Sequence, residues 1–233
     1  MASEGMVPEA QPAQLEWLFG LIVHDLRNPA ATLAANLGFV RDGIGDPTLP
    51  SSELQEALAD SQQALGDLMR GLDQLAWMGR YFNEHETHPT TVQDLRQVFD
   101  RAQGRIKFGS VMFIPPEREL NVVGGEALER LIELLISNGH QHAPGKTVVV
   151  RAVLDEGKVA VEVSDEGKPL AASLGDVAFT LDGQLQIKGR ADGRYGRGLG
   201  LFAAGILART LGARLSSQEK LGRNVFRIEL QAG

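Results

Sequence analysis

Apolar residues recur every three or four positions in two long stretches near the start of the chain. The first series is Leu15, Phe19, Ile22, Leu26, Leu33, Leu37 and Val40, and the second is Leu54, Leu58, Ser61, Leu65, Leu68, Leu72, Leu75 and Gly79. This spacing is typical of one face of an α-helix. It predicts a first helix from about Gln14 to Asp42 and a second helix from Ser51 or Ser52 to about Phe82.

A segment rich in glycine and proline, residues 43–50, separates the two predicted helices, which are therefore expected to form an antiparallel hairpin. Two helices alone leave part of a wide apolar face in contact with water. A second copy of the chain would cover that face, so the prediction is a homodimer whose helices form a four-helix bundle. Residues 1–13 show no periodicity and are predicted to be a disordered tail.

The polar residues 84–90 are the predicted linker between the helical domain, 14–83, and a second domain, 91–233. Helices of the second domain are predicted at 91–105, 126–141 and 198–211. Strands are predicted at 111–114, 147–154, 159–163, 213–217 and 224–230. Helices that alternate with paired strands indicate an α/β sandwich with a mixed sheet. The predicted fold class of the whole chain is α+β.

Composition excludes several kinds of function. The 233 residues include no cysteine, which excludes disulfides, thiolate catalysis and zinc sites with cysteine ligands. The formal net charge of −7 argues against general nucleic-acid binding, because that binding needs a positive field. Since the sequence has no uncharged apolar run of about 18 residues and no signal-peptide pattern, we expect a cytoplasmic protein without membrane insertion.

His24 precedes Asp25 in the first predicted helix and lies off its apolar series, on the side that faces solvent. An imidazole beside a carboxylate can accept a phosphoryl group on nitrogen, because the acid can hold the ring in one tautomer and take its proton. His24 is therefore a candidate nucleophile, although a lone histidine beside an aspartate is more often an ordinary surface residue. Pro29 removes a helical hydrogen bond one turn later and predicts a bend.

Three clusters in the second domain have the chemistry of a nucleotide site. Asn138, near the end of a predicted helix, offers an amide oxygen that could bind Mg²⁺. Asp165 directly follows a strand and could accept a hydrogen bond from an exocyclic amine, while Gly167 permits close approach of the backbone. A glycine-rich segment, 196–200, opens a helix, where backbone N–H groups attract phosphate. Each cluster alone is weak evidence.

The order of four motifs is more specific than any one of them. They are His-Asp-Leu-Arg-Asn-Pro at 24–29, Leu-Ile-Ser-Asn-Gly-His-Gln-His-Ala-Pro at 135–144, Asp-Glu-Gly at 165–167 and Gly-Arg-Gly-Leu-Gly-Leu at 196–201. They resemble the H, N, G1 and G2 boxes of sensor histidine kinases of two-component systems, over residues 14–231. The resemblance implies a dimerisation and phosphoacceptor domain followed by an ATP-binding domain of the Bergerat (GHKL) fold.

The resemblance also implies roles for individual residues. His24 would be the phosphoacceptor, Asp25 its acid–base partner, and Asn28 the residue that orients water when a partner regulator is dephosphorylated. ATP and Mg²⁺ would be bound, with Asn138 on the metal ion and Asp165 on the adenine. The other residues that we assign to the nucleotide site are His142, Gly167, Gly196, Gly198, Leu199 and Gly200.

Two positions depart from the family pattern. Leu134 stands one turn before Asn138, where the family usually has a polar residue and where gyrase- and Hsp90-type ATPases place a water-activating glutamate. Glu133 does not replace it, because five residues along a helix correspond to a rotation of about 140°. Pro169 stands in place of the second glycine of the G1 box and lacks an N–H group. Simple ATP hydrolysis is therefore disfavoured, and weak nucleotide binding is expected.

Three functions fit these observations. The first is a histidine kinase that transfers phosphate from ATP to His24 and then to an aspartate on the receiver domain of a response regulator, with its stimulus arriving through an upstream sensor or partner protein or through the short N-terminal tail. The second is a histidine phosphotransferase whose nucleotide pocket is disabled at Leu134 and Pro169. The third is a non-catalytic dimeric scaffold that binds a receiver domain. Phe179 and Thr180 resemble a remnant of the F box of the kinases.

Overall fold

The chain forms two compact units, Met1–Ala76 and Trp77–Gly233. The computed structural model describes residues 12–81, 91–106, 109–155, 158–167, 170, 175–180, 183 and 200–231. The predicted linker and most of the predicted tail lie outside these residues. The domain boundaries given above therefore remain predictions.

The first unit contains a helical hairpin. Helix α1 runs over Pro12–Gly43 and helix α2 over Ser51–Tyr81, so that the last residues of α2, 77–81, belong to the second unit. Helix α1 begins two residues before the predicted start at Gln14, so residues 12 and 13 are helical and do not belong to the tail. Proline is favoured at the start of a helix, because the N–H group that it lacks would have no helical partner there. Among the described residues, no helix has the length and apolar character needed to cross a membrane.

Small residues form the contact face of α2. Ala57, Ser61 and Ala64 are buried, and Ser61 donates its hydroxyl hydrogen bond to the carbonyl oxygen of Ala57 at 2.7 Å. Near the other end of the hairpin, a Cβ atom added to Gly71 would lie only 3.0 Å from Leu26 Cδ2. The two helices therefore approach each other closely at these small residues of α2.

The predicted apolar series of α2 is only partly buried within the hairpin, as expected for two helices that alone cannot cover a wide apolar face. Ser61 is buried and Leu54, Leu68 and Leu75 are half-buried in the hairpin. Exposed positions of α2 carry Leu58, Leu65, Met69 and Leu72, which are between 44% and 51% exposed. The reason is geometric: residues spaced by three and four cover a wide stripe of a helix, and one neighbouring helix can bury only part of it.

The second unit contains seven strands and three α-helices among its described residues. In chain order they are β1 (Thr91–Asp94), α3 (Leu95–Arg105), β2 (Ser110–Ile114), β3 (Asn121–Gly124), α4 (Glu126–His142), β4 (Thr147–Asp155), β5 (Lys158–Asp165), a 3-10 helix (Gly175–Phe179), α5 (Gly200–Thr210), β6 (Arg214–Lys220) and β7 (Arg223–Leu230). Most of the predicted elements are confirmed within a few residues.

The start of the second unit differs from the prediction. Residues 91–94, predicted as the first turn of a helix, form strand β1, which pairs antiparallel with β3, a strand that the pattern did not reveal. The helix begins only at Leu95, because the side chain of Asp94 accepts a hydrogen bond from the N–H group of Arg96 at 3.1 Å and caps it. Strands of four residues are too short to show a clear alternation.

Five strands form one mixed sheet in the order β2-β4-β5-β7-β6. Strand β2 runs parallel to β4, and the other neighbours are antiparallel. The hydrophobic core contains residues of all three helices and of the strands, among them Phe99, Leu131, Val150, Leu207 and Phe226. The predicted sandwich of a mixed sheet and three helices is therefore confirmed.

An ion-pair ladder crosses the middle of the sheet. Arg151 on β4, Glu162 on β5 and Arg227 on β7 stand side by side in register. The carboxylate of Glu162 accepts hydrogen bonds from Arg151 Nε at 2.8 Å and from Arg227 Nη1 at 3.1 Å. Burial alone would raise the pKa of Glu162, but the two arginines lower it below its ordinary value. The ladder therefore holds three neighbouring strands together through a charged group that stays ionised.

Helix α5 contacts the 3-10 helix through a glycine. A Cβ atom added to Gly205 would overlap the carbonyl oxygen of Phe179. The Phe179 ring is buried and packs edge-on against Phe226, with ring centroids 6.1 Å apart. Because the obstacle is backbone held by a core aromatic residue, it cannot move aside easily.

We predict that Gly205→Ala destabilises the second unit by about 1–3 kcal/mol, the usual cost of overpacking a core. The matched control is Gly104→Ala in α3, where an added Cβ atom meets nothing within 4 Å. The control is expected to be neutral or to stabilise by up to about 1 kcal/mol, because alanine favours helix. Urea unfolding followed by circular dichroism measures both. Equal unfolding midpoints for the two variants would contradict the assigned contact.

Candidate functional site

The side chains of His24 and Asp25 contact each other on the surface of α1. His24 Nδ1 lies 3.2 Å from Asp25 Oδ1, and the two side chains are 55% and 17% exposed. The other carboxylate oxygen, Asp25 Oδ2, is buried and has no hydrogen-bond partner in the described part of the chain. When Nδ1 carries the proton and donates it to the carboxylate, the lone pair of the ring is left on Nε2. The exposed imidazole can therefore act as a nucleophile through Nε2.

Asn28 is exposed one helical turn after His24. Side chains four residues apart lie on the same side of a helix, so His24 and Asn28 face the same region of solvent. Helix α1 continues without interruption through Pro29. The three predicted residues of the phosphoacceptor motif are therefore brought together within one turn.

The N and G1 motifs meet where α4 ends beside the end of β5. Asn138 is half-buried in the last turns of α4, and the next residue, Gly139, would place an added Cβ atom 3.1 Å from Asp165 Cβ. A Cβ atom on Gly167 would lie 3.1 Å from His142 Cβ. Glycines at both contacts allow the helix and the loop after β5 to approach each other closely. Two motifs that are far apart in sequence thus form one polar cluster.

Asp165 is the buried acid of this cluster, with only 1% of its surface exposed. Its Oδ1 accepts a hydrogen bond from the Gly167 N–H group at 2.8 Å, and its Oδ2 accepts one from Asn224 Nδ2 at 3.3 Å. Burial raises the pKa of Asp165, while the hydrogen bonds from Gly167 and Asn224 and the charge of Arg223 oppose the rise. The carboxylate is therefore desolvated but retains specific donors.

Asn224 is a member of the cluster that sequence reasoning did not identify. It lies opposite Asp165 in the pairing of β5 with β7 and is 1% exposed. The sequence did contain one indication of its role. Asn224 begins a series of alternate, core-facing positions in β7 that continues with Phe226, Ile228 and Leu230. A single amide in such an apolar series must have a polar partner.

Leu134 and Glu133 are both engaged elsewhere. Leu134 packs against the hydrophobic core. The carboxylate of Glu133 accepts hydrogen bonds from Arg130 Nη1 at 2.8 Å and from Arg105 Nη1 at 3.5 Å, on the side of α4 that faces α3. Burial raises the pKa of Glu133, and the two arginines oppose the rise. The structure thus agrees with the prediction that Glu133 does not replace the polar residue missing at Leu134.

Several predicted positions lie outside the described residues, namely Pro169, Gly196, Gly198 and Leu199. Gly200 is described and is the first residue of α5. Within the described residues there is no group of three or more histidine or carboxylate side chains that could hold a metal ion. Mg²⁺ needs few protein oxygens, because it commonly retains water and nucleotide phosphates as its other ligands. Asn138 is the residue that could supply the oxygen.

We predict that Asp165→Asn stabilises the nucleotide-free protein and that the gain grows with pH. The folded pKa of Asp165 is raised above its ordinary value of 3.8, so the wild type loses stability as pH rises through that value towards the folded pKa. The amide cannot ionise and avoids this loss. We expect the thermal midpoint of the variant to exceed that of the wild type at pH 8, and by a smaller margin at pH 4.5. Calorimetry measures both, and a variant less stable at pH 8 would contradict the burial argument.

Comparison with known families gives a match for the second unit. The family model described as "Histidine kinase-, DNA gyrase B-, and HSP90-like ATPase" matches residues 124–233. Among curated proteins, sensor histidine kinase MtrB of Mycobacterium tuberculosis is 29% identical over 220 residues, which are 90% of this chain and 38% of MtrB. The chain therefore spans well under half the length of the curated relatives it matches.

Solved structures of similar fold cover nearly the whole chain. Acinetobacter baumannii histidine kinase AdeS has a TM-score of 0.60 at 15% identity and covers 90% of this chain and 98% of its own. Histidine kinase ThkA in complex with response regulator protein TrrA has a TM-score of 0.58 at 13% identity, with coverages of 95% and 63%. A bacterial phosphotransferase has a TM-score of 0.51 at 15% identity, with coverages of 96% and 98%. At these identities the likeness concerns the fold, and it agrees with the predicted fold class.

Proposed function

Because this chain is similar to a sensor histidine kinase over most of its length and its residues 124–233 match the histidine kinase-, DNA gyrase B- and HSP90-like ATPase family, we propose that it transfers the γ-phosphoryl group of ATP to His24. The observation that carries the proposal is the contact of an exposed imidazole with Asp25 in a chain that also has such a domain. The phosphoryl group would pass on to an aspartate of a response regulator. The similar fold of ThkA, a kinase seen with a response regulator, supports this class of partner.

The chemistry follows from the geometry of the pair. The lone pair on Nε2 of His24 attacks the γ-phosphorus, a nitrogen–phosphorus bond forms, and the bond to the bridging oxygen breaks with its electron pair leaving on ADP. The ring then carries a positive charge that the Asp25 carboxylate, 3.2 Å from Nδ1, stabilises and whose proton it can accept. Mg²⁺, when bound, neutralises charge on the phosphates. Asn28, one turn away, would orient the water that later hydrolyses the regulator's phosphoaspartate.

The nucleotide would be held by the cluster at the end of β5. Asp165 would accept the hydrogen bond of the adenine amine, and Asn138 would give its oxygen to Mg²⁺. The remaining residues proposed for this site are His142, Gly167, Gly196, Gly198, Leu199 and Gly200. Support comes from the contacts of Gly139 with Asp165 and of Gly167 with His142, which hold the N and G1 motifs together.

Phosphate labelling tests the proposal. Incubation with γ-labelled ATP and Mg²⁺ should place an acid-labile, base-stable label on the wild type and none on His24→Ala. Asp25→Asn should slow labelling by about 10²–10⁴-fold, the usual contribution of a positioned acid–base group. The matched control is Thr32→Ala, an exposed residue two turns further along α1, which should label normally. A labelled His24→Ala protein would contradict the assignment.

We also propose that the hairpin forms a homodimeric four-helix bundle. A stripe of large apolar side chains on α2, Leu58, Leu65, Met69 and Leu72, is exposed in the single chain. A monomeric soluble protein rarely leaves a continuous stripe of this kind in water. A second copy of the hairpin presents the same stripe and can cover it.

The dimer can be tested without disturbing the hairpin, because Leu65 and Leu72 are exposed in it whereas Leu68 is half-buried. We predict that Leu65→Glu with Leu72→Glu yields folded, helical monomers, since a charge buried in the interface costs several kcal/mol. Leu68→Glu should lower the helix content in addition to disrupting the dimer. The control, Gln55→Glu with Gln62→Glu, adds the same two charges at exposed polar positions of α2 and should remain dimeric. Sedimentation and circular dichroism give the result, and an unchanged dimer for the double variant would place the interface elsewhere.

A second candidate is a histidine phosphotransferase that receives phosphate from another kinase. One observation favours it: the fold of this chain is similar to that of a bacterial phosphotransferase over 96% of this chain and 98% of the phosphotransferase chain. The packing of the partly buried Leu134 against the core is compatible with it, because a chain that does not use ATP needs no polar residue there. The two candidates differ in whether ATP binds.

We predict weak but measurable ATP binding that Asp165→Asn reduces by about ten- to hundredfold, because a hydrogen bond to a charged group contributes about 1.5–3 kcal/mol. Titration calorimetry with Mg²⁺ measures both affinities. Asp165→Asn is predicted to stabilise the nucleotide-free protein while it weakens ATP binding. The loss of affinity would therefore not be caused by unfolding. Absence of ATP binding at millimolar concentration, together with labelling by a phosphorylated donor protein, would favour the phosphotransferase.

A further inference from the structure

A buried amide contacts the acid of the nucleotide cluster from the neighbouring strand. Asn224 faces Asp165 across the β5–β7 pair, and both residues are 1% exposed. Asn224 Nδ2 donates a hydrogen bond to Asp165 Oδ2 at 3.3 Å. Asn224 Oδ1, in contrast, is buried and has no hydrogen-bond partner among the described residues.

The observed orientation of the Asn224 amide leaves its buried oxygen without a partner, which costs free energy. The neighbouring Asp165 carboxylate explains why the amide nevertheless adopts this orientation. A buried acceptor without a partner costs about 1–3 kcal/mol. The opposite orientation would set the amide oxygen of Asn224 against an oxygen of Asp165, which is repulsive when the acid is ionised. The amide orientation therefore stabilises the ionised form of Asp165 and leaves the oxygen of Asn224 without a hydrogen bond. A buried polar atom without a hydrogen bond is uncommon in folded proteins, and a functional role is one common explanation for it.

We propose that Asn224 is a positioning residue that holds the Asp165 carboxylate in the orientation and charge state needed to accept the amine of an adenine-type base. This inference rests on the proposed binding of ATP at this cluster. Each carboxylate oxygen has two lone pairs, and the Gly167 N–H group and the Asn224 amide use one on each oxygen. The free lone pairs remain available to the base.

Charged groups around the pair come from three elements. Arg223 precedes Asn224 on β7, and its Nη2 donates to Glu166 Oε1 at 2.6 Å. Lys146, in the loop after α4, lies 3.7 Å from Glu166 Oε2. His142, at the end of α4, lies beside Gly167. Glu166 thus pairs with both cations, and within the described part of the chain the direct N–H donors to Asp165 are Gly167 and Asn224.

Loss of the amide has a predictable electrostatic effect. Burial raises the pKa of Asp165, and the Asn224 hydrogen bond is one of the groups that oppose the rise. A side chain without a donor at position 224 leaves burial unchanged and removes this opposition, so the pKa of Asp165 rises further. A protonated carboxyl group has lost charge and an acceptor site, and it binds the base amine more weakly.

The test compares the pH dependence of ATP affinity in the whole chain from pH 5.5 to 8.5. The wild type and Asn224→Thr, whose hydroxyl can donate to the carboxylate, should lose affinity only at the acid end. Asn224→Leu should begin to lose affinity at higher pH, falling about tenfold per pH unit below the new pKa. When Asp165→Asn is present, adding Asn224→Leu should no longer change the pH dependence of ATP affinity. The control Asn121→Leu changes an exposed amide on β3 and should follow the wild type.

A second measurement does not depend on ATP. The carboxyl carbon of Asp165, titrated by NMR in the nucleotide-free protein, should show a higher pKa in Asn224→Leu than in the wild type and in Asn224→Thr. Asn224→Ala repeats the comparison with a smaller side chain in case the leucine variant does not fold. An unchanged Asp165 titration in the variants would overturn the proposal, even if ATP affinity fell. Absence of ATP binding by the wild type would contradict the proposed kinase instead, and the carboxyl titration would still decide the role of Asn224.

Discussion

The close approach of α4 to the end of β5 is the constraint on which the proposed nucleotide site depends. Gly139 has no side chain where an added Cβ atom would lie 3.1 Å from Asp165, and Gly167 has none where one would meet His142. Larger residues at these two points would separate the helix from the loop. Asn138 would then move away from Asp165, and the two motifs would no longer share one site.

The two candidate centres have opposite environments, and each environment fits its chemistry. His24 is exposed on α1, where a nucleophile can be reached by a nucleotide and later by a regulator. Asp165 is buried, where a hydrogen bond to a base does not compete with water. An exposed acid would recognise a base poorly, and a buried imidazole could not pass its phosphoryl group to a second protein.

The acidic residues of α4 show why residue type alone does not identify a catalytic group. Glu129 is buried and lies 3.0 Å from Arg105 Nη2, and Glu133 pairs with Arg105 and Arg130. These carboxylates hold α3 against α4. Among the described residues, the hydrogen-bond donors to Asp165 are Gly167 and Asn224 and not an arginine, so Asp165 is our candidate for contact with a ligand.

The sequence by itself determined the features that depend on local periodicity. Helices α1, α2 and α4, the β4–β5 and β6–β7 hairpins and the exposed position of His24 follow from the spacing of apolar residues and from turn signals. The order of the four motifs also indicated the fold of the second unit. The helices, the hairpins and each single motif are readable because each depends on residues that are near one another in the chain.

Only the tertiary structure decided the features that depend on distant residues. The β1–β3 pair joins four-residue strands about 30 residues apart, and the division of the α2 series depends on which side α1 covers. Asn224 is 59 positions from Asp165 and meets it because β7 pairs with β5 in one register. A shift of one residue would turn Asn224 to the other face of the sheet. Strand register is set by the whole core, which is why no local pattern revealed this contact.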